Sequence, residues 1–159
     1  MMQMSENGKE LLAQWEGMKL HVYNDAAGLP TIGVGHLLTP DELNSGKIYI
    51  QAELVSYANG LTQQQVLDLL GQDLEKFEKV INEGVTVDLN QNQFDALVAF
   101  AFNVGAGAFK GSTLLKVLNQ GQYDEVPDQL RQWTRAGGRV VQGLVNRREH
   151  EIKLWNGQL

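Results

Sequence analysis

The sequence predicts an α+β protein, predominantly helical, with a small hairpin-bearing N-terminal part, a helical C-terminal part and a long helix joining them. Three observations predict it. Between Gly17 and Leu61, short apolar alternations are interrupted by turn-rich stretches. From Thr62 a helical apolar period continues for about 20 residues, a rod of roughly 30 Å. After Gly84 every apolar segment keeps a helical period. A chain of 159 residues can close its own hydrophobic core as one domain.

The elements follow in order. Leu11, Leu12 and Trp15 fall at helical spacing, Ser5 is the expected N-cap and Gly17 the glycine that ends the helix, so Glu16 sits at a helix C-terminus. "KLHVYNDAAGLPTIGVG" alternates at Leu20 and Val22, turns through "NDAAGLP" and returns through Ile32 and Val34, the pattern of a β-hairpin. "TPDEL" is expected to form a helical turn. Ile48 and Ile50, then Leu54 and Val55, predict a second hairpin. Thr62 with Gln65 reads as a capping box opening the long helix, whose stripe is Val66, Leu69, Leu70, Leu74, Phe77 and Ile81. Beyond it come a buried helix capped by Asn90, short helices in "GSTLLKVLNQG" and "QYDEVPDQLRQW", and a final amphipathic helix in "GRVVQGLVNRREHEIKLWNG" with Val145, Ile152 and Trp155 on its stripe. The expected division is an α/β lobe over 17–61, a connecting helix over 62–83, and a helical lobe of 84–159 together with 5–16.

Composition narrows the function. No cysteine is present, so neither disulfides nor thiolate metal sites are available. Thirteen Lys and Arg against 19 Asp and Glu give a formal charge of −6, which argues against nucleic acid as the main partner. Basic residues gather only in "RQWTRAGGRVV" and "NRREH", a local patch able to face an anionic polymer. The longest apolar run, Ala96 to Phe102, is far below the ~20 residues that span a bilayer. The first residues show no signal-peptide pattern, so no membrane span or anchor is expected. "GVGHLL" superficially matches a dinucleotide fingerprint, but the third glycine and the parallel βαβ unit are missing.

Glu16, Asp25 and Thr31 surround one glycine-punctuated turn. Cleaving a glycosidic bond takes a proton donor at the leaving oxygen and a carboxylate on the opposite face that activates water or attacks the sugar. Glu16 suits the first task, since the negative end of a helix dipole and an expected partial burial both favour its protonated form. Asp25, in a wetter turn, suits the second. Thr31 is separated from Asp25 by "AAGLP", and its hydroxyl can donate to that carboxylate while accepting from a water. Taken alone, a Glu at a helix end and an Asp in a turn are more often surface charge and turn chemistry.

The ordered string is more specific. Glu16-Gly17, Tyr23, Asp25 and Thr31-Ile32-Gly33-Val34-Gly35-His36 resemble the motif of the phage-type lysozyme family of glycoside hydrolases, the endolysins or muramidases: a Glu, eight residues, an Asp, five residues, a Thr, then Ile-Gly-x-Gly-His. The likeness continues through "FDALVAFAFNVGAGAF" and "GLVNRREHEIKLW". The resemblance implies a lysozyme-like two-lobe fold flanking a sugar cleft, and hydrolysis of the β-1,4 bond between N-acetylmuramic acid and N-acetylglucosamine in peptidoglycan. It assigns Glu16 as general acid and Asp25 and Thr31 as holders of the attacking water. Inversion at the anomeric carbon, which the family implies, predicts carboxyl groups roughly 6.5–9.5 Å apart. No cofactor or metal is implied, and His21, His36 and His150 are not at ligand spacing.

Supporting residues follow from the same resemblance. The family places an arginine of the last helix against the catalytic Glu; Arg147 is preferred over Arg148, the alternative being that both are solvated charges. His36 is expected to pair with a carboxylate such as Asp73 or to cap backbone. Phe102 and Asn103 are placed at the cleft floor, where an amide can bond an N-acetyl group, though Phe102 also reads as core; Leu37 lines the same groove. Trp15, Trp133 and Trp155 are expected in apolar cores rather than as sugar platforms. The expected partner is the glycan strand of the bacterial wall, met by a monomer that leaves the host cytoplasm through a separate holin or is delivered from outside. Two rivals remain: a wall-binding or virion structural domain without activity, and a lytic transglycosylase yielding an anhydro sugar.

Overall fold

The computed structural model describes residues 1–159, which form two compact units: Lys9–Asp73, and Met1–Gly8 with Leu74–Leu159. In the first unit a helix α1 (Glu6–Glu16) leads into an antiparallel sheet of β1 (Lys19–Asn24), β2 (Pro30–Gly33) and β3 (His36–Leu37), in that order. A short helix α2 (Pro40–Ser45), a hairpin of β4 (Lys47–Ile50) and β5 (Glu53–Ser56), and the start of α3 (Gln63–Gly84) complete it.

Local chemistry explains these boundaries. Ser5 Oγ accepts from the Gly8 N–H at 3.0 Å and caps α1. At the other end Gly17 takes φ +86°, and its N–H donates to the Ala13 carbonyl at 2.9 Å, which terminates the helix directly after Glu16. Thr39 and Glu42 form a reciprocal capping box on α2, and Thr62 and Gln65 do the same for α3. In the β4–β5 hairpin Ile48 and Ile50 point inward, while the turn residues Gln51 and Ala52 are left-handed at φ 55° and 63°. Gln72 clasps that turn, its Oε1 accepting from the Gln51 N–H at 2.9 Å and its Nε2 donating to the Tyr49 carbonyl at 2.8 Å.

The first strand departs from the expected alternation. Lys19 pairs with Gly33 and Tyr23 with Thr31, so β1 spends more residues than β2 across the same interval. The bulge resets the facing: Leu20 and Tyr23 are half-buried, whereas Val22, expected inside, is exposed. β2 lies against α3, close enough that a Cβ on Gly33 would stand 3.3 Å from Val66.

The second unit is built around α4 (Gln91–Val104), whose residues Phe94 to Ala101 are all fully buried. Asn90 caps it in a box with Gln93. α5 (Ala106–Lys110), α6 (Thr113–Asn119), α7 (Val126–Arg131) and α8 (Gln142–Trp155) follow, α4 packing on α8 and α5, and α7 on α8 and α6. The helical reading of "GRVV" is corrected here. Arg135–Ala136 (β6) and Arg139–Val140 (β7) form a small hairpin, because Gly137 and Gly138 both take positive φ, the backbone a two-residue reversal requires, and α8 begins only at Gln142.

The chain's first residues are extended and clasped by side chains. Asn82 accepts from the Met2 N–H and donates to the Met2 carbonyl; Gln91 donates to the Gln3 carbonyl; Glu78 accepts from Met4 and Asp95 from Ser5. Asp95 is fully buried and also accepts from the Ser5 hydroxyl. Gly8 is required beside it, since a Cβ there would lie 2.7 Å from Asp95 Oδ2. The unit boundaries fall within α1 and α3, so residues 9–16 group with the hairpins.

An L-residue in the left-handed region is strained by about 1 kcal/mol. Ala52→Gly is therefore expected to stabilise the fold by about 0.5–1 kcal/mol, measured as a rise in the urea midpoint at unchanged m-value.

Candidate active site

Glu16 is the last residue of α1, its position fixed by the helix stop at Gly17. It is exposed, which corrects the expected partial burial: no further helical turn covers it.

Asp25 opens the loop between β1 and β2. The loop closes through main-chain bonds from Asp25 N–H to the Leu29 carbonyl and from Gly28 N–H to the Asp25 carbonyl, both 2.9 Å, with Gly28 at φ +80°. Asp25 Oδ1 accepts from the Ala27 N–H at 2.8 Å and the Leu29 N–H at 2.9 Å. This is an Asx-type turn in which the carboxylate organises its own loop. One oxygen is thereby committed and Oδ2 remains to meet another group.

Thr31 is 3% exposed and stands in register opposite Tyr23, two residues before Asp25. Its hydroxyl donates to the Leu29 carbonyl at 2.9 Å, not to Asp25 as expected. A carbonyl only accepts, so the hydroxyl proton is committed there and Oγ1 faces any other partner as an acceptor. Leu37 pairs with Thr31 across β2–β3 and is exposed.

His36 adjoins this sheet and lies between two carboxylates. Its Nδ1 donates to Asp73 Oδ2 at 2.8 Å and its Nε2 to Glu42 Oε1 at 2.9 Å, so both ring nitrogens act as donors. Burial works against the charged ring, but the hydrogen bond and charge of Asp73, then those of Glu42, outweigh it and raise the pKa from 6.5 to about 9. Glu42 also accepts from the Thr39 N–H, so the imidazolium ties β3 to the cap of α2.

The remaining candidates belong to the helical unit. Phe102 is half-buried, edge-on to Phe77 at 5.5 Å, and Asn103 is exposed near the end of α4. Arg147 and Arg148 are 7% and 0% exposed, which excludes the reading of both as solvated charges. Arg147 donates its Nε–H to Oε2 of the fully buried Glu151 at 2.9 Å, and Arg148 forms an ion pair with Glu151 Oε1 at 2.9 Å. Arg147 also donates to the Ala99 carbonyl at 3.0 Å, and Arg148 donates to Asn103 Oδ1 with its guanidinium 5.0 Å above the Phe100 ring. Trp133, half-buried just past α7 rather than on a helical face, packs edge-on to Phe100 at 5.5 Å, and Trp155 is buried.

Glu42 and Glu151 escaped the sequence reading. Glu42 had a signal in the Thr39–Glu42 capping pattern, and Glu151 in its placement four and three residues after two arginines on one helix.

Comparison with known proteins places the chain among glycoside hydrolases of the muramidase class. The phage lysozyme model matches residues 13–151, and the chain belongs to the phage lysozyme family. It is 41% identical to the endolysin of Salmonella phage P22, over 98% of this chain and 99% of that protein. With the endolysin of Bacillus phage PZA it shares 38% identity over 98% of its own length, spanning 55% of that longer relative. Among solved structures, a P22 lysozyme variant aligns at a TM-score of 0.83 and 38% identity, covering 98% of this chain and 99% of that one. The muramidase domain of SpmX from Asticaccaulis excentricus aligns at 0.78 and 30%, covering 98% of each. The predominantly helical α+β fold expected from the sequence is thus the fold of these lysozymes.

The raised pKa of His36 stabilises the fold in full below about pH 6.5 and is lost as pH rises through about 9. After allowance for solvent screening of a partly exposed group, the contribution is about 1–2 kcal/mol. Thermal unfolding followed from pH 6.5 to 9 should show a decline in the native protein that His36→Gln lacks.

Proposed function

We propose that the chain is an endolysin that hydrolyses the β-1,4 bond between N-acetylmuramic acid and N-acetylglucosamine in bacterial peptidoglycan. Glu16 protonates the leaving oxygen. Asp25 and Thr31 hold the attacking water from the other face, and Asp25 takes its proton.

The observation that carries this reading is the disposition of acceptors around the β1–β2 loop. Asp25 Oδ1 is occupied by two amides, and the Thr31 proton is occupied by Leu29, so Asp25 Oδ2 and Thr31 Oγ1 are both left as acceptors. A water that donates one hydrogen to each turns its lone pair toward a third group, which is how a nucleophile is aimed. A lytic transglycosylase has no use for such a water.

Leu37, Phe102 and Asn103 are assigned to the glycan, and Arg147 and Arg148 to the support of the acid. The target is the wall of the host, which a monomer made in the cytoplasm reaches through a separate holin; no helix of this chain is long and apolar enough to cross a membrane.

Clearing of purified sacculi, followed by turbidity, tests the assignment. Glu16→Gln should leave the fold intact and reduce clearing at least a hundredfold, consistent with loss of a general acid. Thr31→Ala should lower kcat more than it raises KM. Mass spectrometry should find reducing-end sugars, and anhydro products would overturn hydrolysis. Because the chain carries a formal charge of −6, lysis should depend only weakly on salt between low and physiological ionic strength.

A further inference from the structure

We propose that Leu29 and Pro30 are positioning residues for the hydrolytic water: the main chain of Leu29 orients both groups that hold it, and Pro30 fixes the direction of that main chain. The inference rests on the reading of Asp25 and Thr31 as water holders and names what aims them.

Three hydrogen bonds meet at Leu29. Its N–H donates to Asp25 Oδ1 at 2.9 Å, and its carbonyl accepts from the Asp25 N–H and from the Thr31 hydroxyl, both at 2.9 Å. Those two bonds occupy both lone pairs of the carbonyl. The side chain takes no part, being 45% exposed, so the role falls on the backbone. Ala27 shares the hold on Asp25 Oδ1 but has none on Thr31. Leu29 alone bonds to both.

This junction decides the polarity of the Thr31 hydroxyl, which has one proton to give. While the Leu29 carbonyl takes that proton, Oγ1 is an acceptor for a water. Were the carbonyl to swing aside, the hydroxyl would become a donor, and a water lying between it and Asp25 Oδ2 would lose one of its two acceptors. The direction of a carbonyl follows the ψ angle of its own residue, so the aim of the water comes down to the backbone of Leu29.

Leu29 stands between a permissive and a restrictive neighbour. Gly28, at φ +80°, reverses the chain and leaves the loop free to flex. Pro30 opposes that freedom: its ring confines the preceding residue to the extended region and excludes the helical ψ that would turn the Leu29 carbonyl about. Pro30 is anchored in turn. It begins β2 opposite Asn24, and its carbonyl accepts from the Leu38 N–H at 3.0 Å. The water site is thereby tied to the sheet rather than to the tip of a loop.

Replacing Leu29 by its α-hydroxy analogue removes one N–H and keeps both the side chain and the carbonyl. On soluble uncrosslinked glycan strands, with new reducing ends counted, kcat should fall roughly tenfold, the weight of one hydrogen bond, and KM should stay within about twofold. Pro30→Ala keeps every bonding group and frees only the backbone. Its kcat should fall roughly two- to fivefold at unchanged KM, measured well below the melting temperature, where a loss of stability alone leaves the rate untouched. Both losses should shrink in a Thr31→Ala background, where one holder of the water is already gone; losses that multiply in full overturn the positioning role. So does a native kcat in either variant, or a loss that falls on KM instead. The reading beneath is judged separately. A native protein that releases no reducing ends, or a Thr31→Ala form as fast as native, removes the water-holding assignment, whereas a slow Thr31→Ala beside a fast Leu29 analogue removes this inference alone.

Discussion

Three charges stand almost without water inside the helical unit, and α4 and α8 pack as they do because those charges satisfy one another. Glu151 and Arg148 are fully buried and Arg147 nearly so. Withdrawing each from solvent costs several kcal/mol, offset by attraction between opposite charges held 2.9 Å apart. One carboxylate accordingly meets two guanidinium groups, and each arginine sends a further arm to α4: Arg147 to the Ala99 carbonyl, Arg148 to Asn103. The seam between the two helices is therefore specified by polar geometry laid over an apolar core that would otherwise tolerate small slips.

The β1–β2 loop is ordered by the opposite strategy. Nothing distant is needed: Asp25 collects two amides of its own loop, and the Thr31 hydroxyl closes on the carbonyl of Leu29 two residues back. Such short-range bonds are compatible with a half-exposed setting where water can enter and leave. Between these extremes lies His36, whose two carboxylate partners come from α2 and α3, so that a single ring joins three elements of its unit. Chemistry that must exchange solvent is built locally, and chemistry that must stay still is built from the interior.

Much of this was legible in the sequence wherever one residue's own backbone preference decides the outcome. Ser5, Gly17, Thr39, Thr62 and Asn90 mark helix ends by capping chemistry that needs no tertiary partner, and the Ile48 and Ile50 alternation announced its hairpin. The errors share a cause. Val22 turned outward because of a bulge that only strand pairing reveals. The β6–β7 hairpin hid behind apolar spacing that fitted a helix, although consecutive glycines were a local signal against one. At the site, Glu16, Asp25 and Thr31 were found as an ordered string, yet the direction of the Thr31 hydroxyl depended on which acceptor lay nearest. Glu151 was missed since a charged residue on an amphipathic helix ordinarily belongs to the solvent face, and nothing in spacing alone says that this one is inside.

The clasp on the chain's first residues has an evolutionary corollary. Asn82, Gln91, Glu78 and Asp95 grip main-chain atoms of Met2 to Ser5, and only the Ser5 hydroxyl adds a bond from the segment's own side chains. Recognition of this kind is nearly indifferent to the identity of what is gripped. Position 3, whose side chain is exposed, can therefore drift among amino acids without loosening, whereas Met4 is held by its burial as well, and the four gripping residues and Gly8 cannot change. Variation tolerated at one end of the polypeptide is underwritten by constraint some eighty positions away.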